Sequence, residues 1–146
     1  MITFEDLYKR LVKASINNEE EKEFEKIKKE EYDPYHLDCL LNPQNHSIVL
    51  KLGECDCPDG KENKCKIKCL FNALYNDNGN VKVKKDACTG CSSCVDSCKA
   101  EKLKASRDIL PALKSIHEKK GPGYAIIAPA FVGQFSEVVT PGKLRT

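Results

Sequence analysis

The sequence predicts an α+β fold with three parts. These are a helical hairpin at the N-terminus, short strands around a cysteine-rich centre, and a C-terminal helix followed by one orphan strand. Three observations carry this. Phe4, Leu7, Tyr8, Leu11 and Val12 recur at helical spacing and form one apolar stripe. Ser47 to Leu52 (SIVLKL) and the alternating Val81 and Val83 have the composition and length of short strands. Helical spacing then returns in Ile109, Leu113 and Ile116, after the last cysteine.

Taken in order, Thr3 has the chemistry of an N-cap, with Asp6 at the capping-box position three residues on. Asn17 and Asn18 break the apolar stripe and are able to cap a second helix. That helix carries only Phe24 and Ile27 as apolar residues, so its charge run reads as a solvated face with i,i+4 pairs. Asp33-Pro34 reads as the end of the helical section, because a residue before proline is driven out of the helical region. Residues 32–46 are expected to be a connector. Asn78-Gly79 is a hairpin-turn signal between alternating residues. The surrounding NDNGN tract lacks the closing glutamate of a calcium loop and reads as a turn. A helix from about Asp108 to Lys119 carries Pro111 in its first turn, where proline is tolerated, and stops at Gly121-Pro122-Gly123. The run YAIIAPAFV has strand length and no alternation, as in a strand buried on both faces, and has no partner sheet here. Thr140-Pro141 opens a helix that the sequence does not continue, so a truncated chain is expected.

At 146 residues the chain has room for one domain or two small ones. Its 40% hydrophobic and 32% charged residues are those of a soluble protein. Lys and Arg number 24 against 22 Asp and Glu, a net +2, which offers no electrostatic reason to bind nucleic acid or a membrane. Residues 1–10 mix charges into their apolar positions and hold no signal-peptide core, so a cytoplasmic location is expected. Nine cysteines in such a compartment read as metal ligands and not as disulfides.

Eight of the nine fall into two sets of four. Cys55, Cys57, Cys65 and Cys69 stand in CDCPDGKENKCKIKC; Cys88, Cys91, Cys94 and Cys98 stand in CTGCSSCVDSC. Cys39 stands apart and reads as a buried thiol. The second set is C-x2-C-x2-C-x3-C, in which three thiolates on a tight loop reach one face of an iron–sulfur cubane. Gly90 lets that loop turn, and the small Ser92 and Ser93 let backbone amides approach the sulfurs. The competing reading is a zinc-stabilised interaction module with two four-cysteine sites and no redox function. Three cysteines two apart crowd one corner of a zinc tetrahedron, and the region lacks the aromatic and arginine content of a nucleic-acid reader. A thioredoxin-like reading of Cys88 and Cys91 leaves Cys94 and Cys98 unexplained. His36, His46 and His117 pair with no nucleophile or carboxylate at recognisable spacing, so no catalytic residue is assigned.

Over about Cys55 to Leu103 the chain resembles the bacterial two-cluster ferredoxins, which carry two C-x2-C-x2-C-x3-C-P motifs. The second motif matches closely. The first departs, as C-x-C-x7-C-x3-C with a polar insertion Pro58–Lys64, and Leu70 and Lys99 replace the two prolines. The resemblance implies two 4Fe-4S clusters with crossed ligation: Cys55, Cys57, Cys65 and Cys98 for one, Cys88, Cys91, Cys94 and Cys69 for the other. It implies an electron-transfer module whose partner is a redox protein, such as a ferredoxin. Ten lysines against five acids from Lys61 to Lys104 would offset the cluster charge, dock an acidic partner, or simply be solvated.

The segment GPGYAIIAPAFVGQFSEVVTPGKLRT is similar to the opening strand, loop and helix start of the catalytic domain of iron-only (FeFe) hydrogenases and their relatives. In that family a ferredoxin-like domain precedes the catalytic one and feeds it electrons. The chain is therefore expected in three parts: residues 1–37 as a helical arm read from its periodicity, and, as the resemblances imply, 38–104 as the two-cluster ferredoxin-like domain and 105–146 as a connecting helix with the start of a hydrogenase-like domain. The missing hydrogenase-like domain would be the other candidate redox partner. The cysteine motifs of that family's active-site cluster are not in this sequence, so the chain as given is not expected to be catalytic. An intact small ferredoxin with a natural tail is the remaining alternative.

Overall fold

A computed structural model describes residues 1–55, 57, 64–119, 124 and 126. The expected strand in YAIIAPAFV and the helix start at Thr140-Pro141 lie outside the described residues, save Tyr124 and Ile126. The described chain is a mixed α+β fold of helices and two small antiparallel sheets. Among the described residues no helix is long and apolar enough to cross a membrane.

Four helices form one layer. Helix α1 spans Phe4–Ile16, α2 Glu20–Ile27, α3 Pro34–Leu41 and α6 Ile109–Lys119. The Thr3 hydroxyl accepts from the Asp6 N–H at 3.1 Å and donates to the Asp6 carboxylate at 2.6 Å, so the expected cap closes on Asp6 itself. Asn17 ends α1 and Glu19 begins α2, so neither asparagine caps the second helix. The stripe of α1 packs Phe4, Leu7 and Leu11 against Ile27, Cys39, Leu40 and Leu110. Cys39 is fully buried, as expected of the lone thiol, and burial pushes it above its usual range.

Two expectations are corrected here. Residues 34–41 are not a connector but α3, which Asp33 caps by accepting the Tyr35 N–H at 2.9 Å. The dipeptide read as a stop is also a start signal, since proline suits the first helical position after an Asp cap. In α6 the buried residue is Leu110, while Ile109 and Ile116 face solvent at 38% and 48% exposure. The face is chosen by where α1 and α3 lie, which periodicity within α6 does not encode.

The cysteine-bearing part is a strand–loop–helix–strand unit used twice. Strand β1 (Val49–Lys51), short helix α4 (Lys64–Ile67) and β2 (Leu74–Asp77) form the first; β3 (Asn80–Val83), α5 (Ser93–Asp96) and β4 (Leu103–Ala105) the second. The first strand of each unit pairs with the last strand of the other: β1 with β4, and β3 with β2. Exchanging the units leaves this pairing unchanged, so the topology has a pseudo-two-fold. The pairs Cys65/Cys94, Cys69/Cys98 and Leu74/Leu103 also stand at one common separation in the sequence. The β2–β3 hairpin turns through Asn78 and Gly79, both at positive φ (51° and 84°), the type I′ geometry that matches strand twist.

Strand β1 joins the two layers by alternation. Leu50 and Leu52 enter the helical core, whereas Val49 enters the cysteine core with Leu74, Val81 and Leu103. Beyond β4, Arg107 clamps α1 through Nη2, which donates to both oxygens of the Glu5 carboxylate at 2.8 and 2.9 Å, and its guanidinium lies 4.1 Å over the Tyr8 ring. Arg107→Ala is expected to cost about 1 kcal/mol, because the pair is part-exposed and the stacking modest. Arg107→Lys should recover only part of it, since an ammonium can reach the carboxylate but does not stack flat over the Tyr8 ring. Urea midpoints of the three proteins check this.

Candidate metal centre

Two short helices and the loops before them position the thiols. Cys65 sits in α4 and Cys94 in α5, both buried, and α4 packs on α5. The turn after each helix delivers Cys69 and Cys98. The preceding loops carry Cys55 and Cys57, and Cys88 and Cys91, of which Cys57 and Cys91 are exposed. Gly90 has φ +74° and Ser92 φ +62°, so the second loop turns twice through the left-handed region. The glycine also meets a neighbour, since a Cβ there would stand 2.8 Å from Ile48 Cγ2.

The thiols are sorted by neighbourhood and not by position in the sequence. Cys65 is pushed above the usual thiol range by burial first, then by the charge of Cys98, with Cys55 and Cys57 adding to it. Cys94 is pushed up to about 11, again by burial first, with Cys69 and Cys88 as its charged neighbours. Cys69, Cys88, Cys91 and Cys94 also line one concavity with Val49 and Leu74. Cys98 therefore stands with the first set and Cys69 with the second. Cys91 is held below the usual range by the backbone N–H and hydroxyl of Ser93.

Backbone donors reach Cys69 and Cys55 as well. The Ala73 N–H points at Cys69 Sγ (3.3 Å) and the Val81 N–H at Cys55 Sγ (3.4 Å). Such donors stabilise thiolate charge and orient the ligand. The Cys55 N–H is in turn held by the Asn80 side-chain carbonyl at 2.7 Å. Sequence reasoning assigned the asparagines of this tract to the turn, which holds for Asn76 and Asn78 but misses Asn80. Asn80→Ala is expected to cost about 1 kcal/mol, the usual worth of one such bond. It should speed hydrogen exchange at the Cys55 amide and leave Cys88 unchanged, whereas Asn80→Asp keeps the acceptor and the protection.

Among the described residues no group of three or more His, Cys, Asp or Glu side chains stands ready to hold a single metal ion. The histidines lie elsewhere: His46 pairs with Asp38 at 2.6 Å, His36 packs edge-on to Phe4, and His117 is exposed on α6. Comparison with known proteins returns no match to a family model, a curated protein or a solved structure.

Proposed function

We propose that the chain is an iron–sulfur electron-transfer module with a two-cluster ferredoxin-like fold. Cys55, Cys57, Cys65 and Cys98 would hold one 4Fe-4S cluster, and Cys88, Cys91, Cys94 and Cys69 the other. The observation that carries this reading is the regrouping of the thiols across the pseudo-two-fold, with Cys98 beside Cys65 and Cys69 beside Cys94. The fit of the residues to the groups rests on the donor set. Soft thiolates are the ligands such clusters take, and the second set lines a concavity instead of converging on a point.

A cluster bound at each set would accept and release one electron. The chain's own residues do the rest. The Ala73 and Val81 amides direct N–H groups at Cys69 and Cys55, which lowers the cost of thiolate charge. Val49, Leu74, Val81 and Leu103 form one buried apolar core with Cys65 and Cys94, against which Cys55, Cys69, Cys88 and Cys98 pack. Buried Cys65 and Cys94 hold their protons in the metal-free chain, so loading must release them and is favoured as pH rises. A place upstream of a hydrogenase-like domain rests on the sequence of residues 121–146 alone.

The test is iron, acid-labile sulfide and zinc per chain on anaerobically purified protein. About eight irons and eight sulfides are expected. Colourless protein with about two zincs would replace this reading with the zinc-stabilised interaction module.

A further inference from the structure

The outer face of the cysteine-bearing unit is formed by α4, α5 and the turns that follow them. Lys64 and Lys68 of that face, with Lys99 beside Cys98, line one shallow concavity with Ile67, Asp96 and Ser97. None of the three lysines forms an ion pair with a described residue, and among the described residues Asp96 is the only acid in the concavity's lining. In the helical layer Arg10, Lys22, Lys26, Lys28 and Lys114 are paired, while Lys9, Lys13 and Lys29 form no ion pair with a described residue and lie away from the two cysteine sets. The surface also exposes apolar side chains that a monomer gains nothing by exposing, with Ile67 at 63% and Leu70 at 85%.

We propose that this face docks an acidic electron-carrier protein. The proposal rests on the electron-transfer reading and names the partner's chemistry. An apolar centre with a charged rim is the anatomy of a transient protein interface. Unpaired lysines around Ile67 complement a carboxylate-rich surface and steer it in from a distance. The position suits the task, since Cys65 lies within α4, Lys68 precedes Cys69 and Lys99 follows Cys98. A partner seated there meets residues next in sequence to Cys65, Cys69 and Cys98, which belong to both sets. In the exchange one electron leaves one protein and one arrives on the other, and no bond is made or broken. Among its described lining residues the concavity has no arginine and no aromatic residue, which disfavours a nucleic-acid strand that would stack or take forked contacts.

The test uses an acidic plant-type ferredoxin as the probe, reduced and mixed with the oxidised, cluster-loaded chain in a stopped-flow instrument. The combined Lys64→Gln, Lys68→Gln, Lys99→Gln variant is expected to react about ten-fold more slowly at low salt. The combined Lys9→Gln, Lys13→Gln, Lys29→Gln variant removes the same charge from the helical layer and should react as wild type. Added salt should slow the wild type and barely affect the first variant. Equal slowing of both variants, or a wild-type rate indifferent to salt, would overturn the proposal. Calorimetric titration of the same probe onto the same proteins reads docking without electron transfer. A chain without iron that still binds the probe through Lys64, Lys68 and Lys99 would keep the docking face and end the electron-transfer reading. Tighter binding of a DNA duplex than of the probe, lost in the first variant, would overturn the choice of a protein partner.

Discussion

Cys98→Ala is expected to lower the iron of the reconstituted chain from about eight to about four atoms, because one ligand set is left with three thiols. Cys91→Ala should do the same. The informative protein is the double variant. If ligation follows the sequence, Cys91 and Cys98 serve one cluster, and the double variant keeps about four irons. If it follows the neighbourhoods, Cys98 serves with Cys55, Cys57 and Cys65, and Cys91 serves with Cys69, Cys88 and Cys94. The double variant then holds almost none. The Cys69 and Cys91 pair gives the complementary result, with about four irons retained because both lie in one set. The wild type, Cys91→Ala, Cys98→Ala and their double variant form a cycle in which additivity or its failure reports which thiols act together.

Gly90→Ala is the second large effect. A side chain at φ +74° costs about 1–2 kcal/mol in backbone strain. The new Cβ would also stand 2.8 Å from Ile48 Cγ2, and overpacking of this kind costs about 1–3 kcal/mol more. Gly53→Ala separates the two contributions, since Gly53 has φ +80° and nothing within 4 Å of its Cβ position. It should pay only the backbone cost. Ile48 is half-exposed, so Gly90→Ala with Ile48→Ala is expected to return to the Gly53→Ala value. Anaerobic urea denaturation of the reconstituted proteins measures all three. Equal losses in Gly90→Ala and Gly53→Ala would remove Ile48 from the account. Iron at the second set should fall only where the Gly90 loop is disturbed.

What the sequence made legible is the chemistry that closes within a few residues. Thr3 caps α1, Asn78-Gly79 forms the hairpin turn, Gly90 turns its loop at positive φ, and Cys39 is buried. Pro34 was ambiguous for a local reason: the same residue forbids a helix before it and favours one after it. Its role is settled by the Asp33 cap and by the burial of Cys39 and Leu40 against α1. The inward face of α6 was illegible because it depends on α1 and α3, far away in the chain. The same holds for Asn80, whose carbonyl reaches Cys55 across the hairpin, and for Arg107, whose partner is Glu5. In the cysteine sets the spacing gave the membership of each loop. The crossed grouping of Cys69 and Cys98 was an expectation of the ferredoxin resemblance, and its physical basis is how α4 packs on α5.

The central claim is that the regrouped thiols make a reversible electron carrier. Its most direct test is a coulometric titration of the anaerobically reconstituted chain, with the spectrum recorded at each potential. The account predicts uptake and return of about two electrons per chain, one for each set of four thiols. A chain that takes up no electrons reversibly, whatever metal it holds, would contradict it.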